Sequence, residues 1–123
     1  MRLILSVLQV VVALGLLNVW VLRFNQPTSY RGGGAGNMRE EFAQYGLPVW
    51  FMWLVGALKV TIAICLLAGL WFHGLVFPAA LGLSVLMLGA LVMHVKVSDP
   101  LKKSLPALSL LVIAAFLCAG TYR

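Results

Sequence analysis

One lysine stands apart among the residues that could do chemistry. Lys59 lies eleven positions into an apolar run that begins at Pro48. That is roughly 16 Å along a helix, near the middle of a hydrocarbon core about 30 Å thick. A cation at that depth costs from about 2.5 to over 10 kcal/mol, depending on how far it can snorkel. Lys59 is therefore expected to point into a helix bundle and meet polar groups. Counting the same distance along the neighbouring runs reaches Ser84 and a point near Gln9, so Gln9, Lys59 and Ser84 form one expected polar layer. Asn18, His94 and Ser109 form a second, nearer the polar links. No carboxylate lies within an apolar run, because Glu40, Glu41 and Asp99 all fall in the links. Lys59 thus gains a counter-ion only if the segment carrying Glu40 and Glu41 folds into the mouth of the bundle. Two roles stay open. Lys59 holds the head of a lipid-soluble ligand such as a quinone or a lipid, binds an anion or relays a proton, or it is a structural donor to backbone carbonyls and Gln9 that fixes helix register.

Other chemistries find no support. His73 and His94 sit at opposite ends of one run, so they do not make a pair of haem ligands at one depth. No His/Cys/acid cluster points to a metal. Cys65 and Cys118 lie inside apolar runs and read as small core residues. The run Arg31-Gly32-Gly33-Gly34-Ala35-Gly36 lacks the Gly-Lys-Ser/Thr of a phosphate loop and the last glycine of a dinucleotide fingerprint, so it reads as a flexible connection. No serine, thiol or phosphoryl-transfer constellation is present, and no residue is assigned a catalytic role.

The elements that must position Lys59 follow from composition. Of 123 residues 63% are hydrophobic and 10% charged, against roughly 45–50% and 25% in soluble domains. This excludes a disordered tail, a nucleic-acid arm and an ordinary soluble enzyme. The net charge of +6 is explained by topology rather than by nucleic acid as a partner. Four runs are long enough to span: residues 3–22, 48–70, 74–95 and 105–121. The expected fold is all-α, a single membrane domain with a four-transmembrane-helix antiparallel bundle. A short interfacial helix over about 37–46 joins spans one and two. Asn37 with Glu40 makes its capping box, Met38, Phe42 and Tyr45 share a face, and Gly46 closes it. It is expected to lie against the bilayer or cap the bundle, with Trp20 near an interface. The links holding Arg23, Arg31, Arg39, Lys96, Lys102 and Lys103 outweigh the side holding Arg2 and Arg123. The positive-inside rule then puts both termini outside the cytoplasm, in a multi-pass protein of the inner membrane. Small residues in spans two and three mark packing faces.

Several of these residues come in a familiar order. Glu41-Phe42 and Tyr45-Gly46-Leu47-Pro48 precede Gly56, Lys59 and Leu66-Leu67-Ala68-Gly69. Gly89-Ala90 and His94 follow, then Asp99-Pro100, Lys102-Lys103 and Pro106-Ala107. Over nearly the whole length the chain resembles the DoxX-like family of small four-helix bacterial membrane proteins. The segment Arg31-Gly32-Gly33, Asn37-Met38 and Glu40-Glu41-Phe42 is similar to one subgroup. The resemblance implies no settled catalytic residues. Relatives include a small subunit of a thiosulfate:quinone oxidoreductase, partners of redox-defence complexes and a receptor-assembly chaperone. Many members carry an acid where this chain has Lys59, which puts an inherited carboxylate role in doubt. The expected function is a non-catalytic subunit or accessory of a membrane redox or respiratory assembly, with partner subunits or further copies of itself. The alternatives are an assembly factor without a ligand and a small anion transporter.

Overall fold

The computed structural model describes residues 2–22, 25 and 35–121. The glycine run Gly32–Gly34 and the charges Arg23, Arg31 and Arg123 lie outside the described residues. Helix α1 spans Arg2–Leu17 and continues as a π-helical turn over Asn18–Leu22. A short helix α2 covers Met38–Gln44. Then come α3 (Val49–Ala68), α4 (Val76–Lys96) and α5 (Leu101–Thr121). Four of these helices are long and apolar enough to cross a membrane, and the described residues contain no strand. Exposed residues such as Leu3, Val7, Val11 and Leu14 on α1, or Val85, Leu88 and Val92 on α4, turn apolar stripes outward. This suits a solvent of lipid tails. Such stripes would not suit water at this density.

The four long helices form a closed ring in which α1 packs on α3, α3 on α4, α4 most extensively on α5, and α5 back on α1. Small residues set the approach. A Cβ added at Gly120 would stand 2.8 Å from Leu5 Cδ2, and one at Gly69 would stand 2.6 Å from Val76 Cγ2. Both contacts lie at the end of the bundle where the chain starts and stops, and they draw that end tight.

At the opposite end α2 caps the ring. Asn37 accepts the Glu40 amide at 2.9 Å, while the Glu40 carboxylate accepts from the Gly36 amide at 3.1 Å and from Asn37 Nδ2 at 2.9 Å. Gly46, with φ +76°, ends the helix, and the Gly46 and Leu47 amides return to the carbonyls of Ala43 and Phe42. Met38 and Phe42 are buried against Trp20, Met52 and Val55, and Tyr45 is buried beside Phe42 and His94. Trp20 itself is 8% exposed and forms part of the bundle wall. One boundary also differs from expectation. The fourth span starts at Leu101, not Leu105, so Lys102, Lys103 and Ser104 form the first turn of α5. Pro106 is tolerated inside that helix because the carbonyl it leaves without a donor, that of Lys102, lies in the first turn at the bundle's end, where water can satisfy it.

Candidate functional site

A turn and a glycine build the site. The π-helical turn shifts Trp20 inward, and Gly56 on α3 leaves it room: a Cβ there would lie 2.7 Å from Trp20 Cζ3. One turn further along α3 stands Lys59. Helical side chains lean toward the N-terminus of their helix, here the α2 end. The Lys59 ammonium accordingly sits 5.3 Å from the centroid of the Trp20 ring, a cation–π contact. It is half-buried. A cavity of about 720 Å³ opens beside it, walled by apolar residues of α1, α3, α4 and α5, among them Leu16, Val55, Met87 and Leu110. Glu41 of α2 lines the same cavity and its carboxylate attracts the Lys59 ammonium. The condition set by the sequence, that the acidic helix fold into the bundle mouth, is thus met. Lys59 makes no hydrogen bond to any described residue, so its N–H donors are available to the cavity.

The mouth of the cavity is a connected polar rim. Tyr45 Oη donates to Glu41 Oε2 at 2.7 Å, and Lys96 Nζ donates to the Tyr45 carbonyl at 2.7 Å. The Tyr45 ring meets the His94 ring edge to face, with centroids 6.0 Å apart. His94 Nδ1 lies 2.8 Å from Asp99 Oδ2, and Lys103 Nζ is 3.9 Å from Asp99 Oδ1. A carboxylate only accepts, so His94 Nδ1 carries the proton of this bond. The end of α4 explains this pairing. The Ser98 and Asp99 amides return to the carbonyls of Val95 and His94, and Ser98 takes φ +58°, where glycine is usual. That turn folds Asp99 back over the His94 ring.

The structure brings together only part of the polar layers read from the sequence. Lys59 and His94 line one cavity, with Glu41, Phe42 and Tyr45 of α2. Gln9 does not join them. Its Nε2 donates to the Leu66 carbonyl at 3.0 Å, in the last turn of α3. Two contacts fix the register of α1 on α3, Gln9 with Leu66 and Trp20 with Gly56, and Arg2 meets His73 in the turn between α3 and α4. This puts Leu17 at the depth of Lys59 and Gln9 about two turns away. Counting from the run ends failed because α1 and α3 do not end in one plane. Ser84 is near the expected depth, since Gly82 faces Ile62. Its hydroxyl, however, donates to the Ala80 carbonyl of its own helix at 2.9 Å, and it is not in the cavity wall. Asn18 lies outside the cavity lining, and Ser109 is exposed on the outer face of α5. Glu40 is spent on the capping box.

Reasoning from the sequence missed Trp20 as the partner of Lys59, and Asp99 and Lys103 as members of the rim. Gly56, three residues before a buried lysine, was the available sign of a large neighbour. The Val-Ser-Asp-Pro stretch after His94 was the sign of a chain reversal there. Nothing in the sequence announced the π-helical turn.

Comparison with known proteins completes the description. The profile of the DoxX-like family matches residues 7–117. An uncharacterized protein of Bacillus subtilis (strain 168), YdgD, is 26% identical over 84 residues, covering 68% of this chain and 74% of that protein. No solved structure matches.

Proposed function

The chain belongs to the DoxX-like family, and on that footing we propose that it is a non-catalytic accessory of an inner-membrane redox assembly that holds a lipophilic molecule with a polar head, a quinone or a lipid. One observation carries this reading: an apolar-walled cavity of about 720 Å³ whose lining includes a few charged and hydrogen-bonding groups, Lys59, Glu41, Tyr45, His94 and Lys103. The shape of the chemistry matches an amphiphile. Lys59 offers donors to a carbonyl or anionic head, His94 adds a ring nitrogen, and the apolar walls take a tail. Partner subunits would be met through the outward apolar faces. Both termini would lie outside the cytoplasm, leaving the rim of Glu41, Tyr45, His94 and Asp99 on the cytoplasmic side.

The test is mass spectrometry of lipophiles extracted from the protein purified out of its own membrane, set beside the Lys59→Leu variant. The parent should retain a stoichiometric quinone or lipid, and the variant should fold, insert and lose it. A variant that keeps the same molecule at full occupancy removes Lys59 from the binding role. A parent that carries nothing beyond bulk lipid, yet co-purifies with a partner chain, favours a pure assembly factor.

A further inference from the structure

The two ends of the bundle differ in how its glycines are used. At the terminal end α5 touches α1 closely: Gly120 receives Leu5, with no room for a Cβ. Ten residues further along each helix, about 15 Å away, stand Gly15 on α1 and Leu110 on α5. Both line the cavity. At Gly15 nothing lies within 4 Å of the place a side chain would take. Close contact at Gly120 thus gives way, at Gly15, to open space beside the cavity that Gly15 and Leu110 both line. The outer flanks of this gap are Val11 and Leu14 on one helix and Leu108 on the other, all exposed apolar residues. These are residues suited to lipid tails. The α2 end, by contrast, is covered by Phe42 and Tyr45, which are buried.

We propose that the cavity is filled sideways from the bilayer, through the gap between α1 and α5, by a hydrocarbon tail of a membrane amphiphile, and that Gly15 keeps this gap open. This rests on the amphiphile-holding reading above and adds its route. A soluble anion would come instead through the polar rim. A chain sliding in from between Leu14 and Leu108 passes exposed apolar side chains on both flanks. Its head is then drawn toward Lys59 and the rim.

Trp20 reports on the cavity, because it stands in the cavity wall. Replacing the exposed Trp50 and Trp53, and Trp71, by Phe leaves it as the sole tryptophan. The protein is reconstituted in vesicles of dioleoyl phosphatidylcholine or its dibrominated analogue. Brominated chains should quench Trp20 at least twofold. In a Gly15→Cys variant with Cys65→Ala and Cys118→Ala, reaction with a benzyl maleimide after folding should cut that quenching by half or more. The same preparation is compared before and after labelling, so folding is controlled. Quenching that is absent before labelling, or equal before and after it, overturns the lateral route. The outcomes separate from those of the Lys59 test. A co-purifying lipophile that depends on Lys59, with Trp20 indifferent to bromine, sinks this route and spares the binding. Quenching sensitive to the Gly15 label, with no lipophile retained, supports the route and sinks the holding function.

Discussion

The seat of Trp20 on Gly56 gives the sharpest prediction. In Gly56→Ala the new methyl would fall 2.7 Å from Cζ3 and 2.8 Å from Cε3 of a rigid indole. Carbon atoms pack at about 3.5–4.0 Å, so the ring must withdraw by about 1 Å. It cannot do so freely, since Phe42 lies edge-on to it at 6.0 Å. Overpacking of this kind costs about 1–3 kcal/mol. Alanine returns up to about 1 kcal/mol through helix propensity. A displaced ring also forfeits part of the cation–π contact with Lys59, worth about 0.5–2 kcal/mol. The net expectation is a loss of about 1–3 kcal/mol. Denaturant titration in detergent micelles measures it, with Trp20 emission followed in the background lacking the other tryptophans. The coupling should appear in a double-mutant cycle followed by far-ultraviolet circular dichroism: Gly56→Ala costs much less once Trp20 is Leu. A Gly56→Ala protein as stable as the parent, with unshifted Trp20 emission and no coupling, would mean that the indole is not seated on Gly56 and that the cavity wall is drawn wrongly.

Four further outcomes are expected. Gln9→Leu leaves the Leu66 carbonyl without its donor and should cost about 0.6–1.7 kcal/mol in the same titration, with no change in any retained lipophile. Asn37→Ala removes the cap of α2 and about 1 kcal/mol of local stability; hydrogen exchange at the Glu40 amide should quicken while α3 to α5 are unaffected. Ser98→Gly relieves a left-handed residue and should raise stability by up to about 1 kcal/mol, seen as a higher denaturation midpoint with the His94–Asp99 pair intact. A periplasmic-active reporter fused after Arg123 should be active, and activity of a cytoplasm-only reporter there reverses the orientation.

The fold was legible because its signals are long. Four apolar runs, a capping box at Asn37 and Glu40, and Gly46 at a helix end each act through local geometry that the sequence specifies directly. The site was legible only where one residue is improbable. Lys59 announces itself by cost alone, whereas its partners depend on register and on side-chain direction. Ser84 shows the difference: its depth could be counted, but not the face on which its hydroxyl would find the Ala80 carbonyl. Gln9 fails for another reason. Counting from run ends takes the helix ends to share a plane, whereas the contacts of Gln9 and Trp20 with α3 set a stagger that composition does not encode.

The two roles left open for Lys59 can now be weighed against each other. A lysine kept to fix register would donate to backbone carbonyls of a neighbouring helix. In this bundle that task belongs to Gln9, which donates to the Leu66 carbonyl two turns away. The Leu70 amide turns instead to Leu67, so Gln9 completes the end of α3 where its own ladder stops. Lys59 makes no such bond to a described residue. Its compensation is the Trp20 face, the attraction of Glu41, and a lean toward the mouth. The first of these is worth about 0.5–2 kcal/mol, against a burial cost that begins at about 2.5 kcal/mol. Glu41 and the lean toward the mouth add to this, and on the reading proposed above an acceptor from outside the chain would supply the remainder.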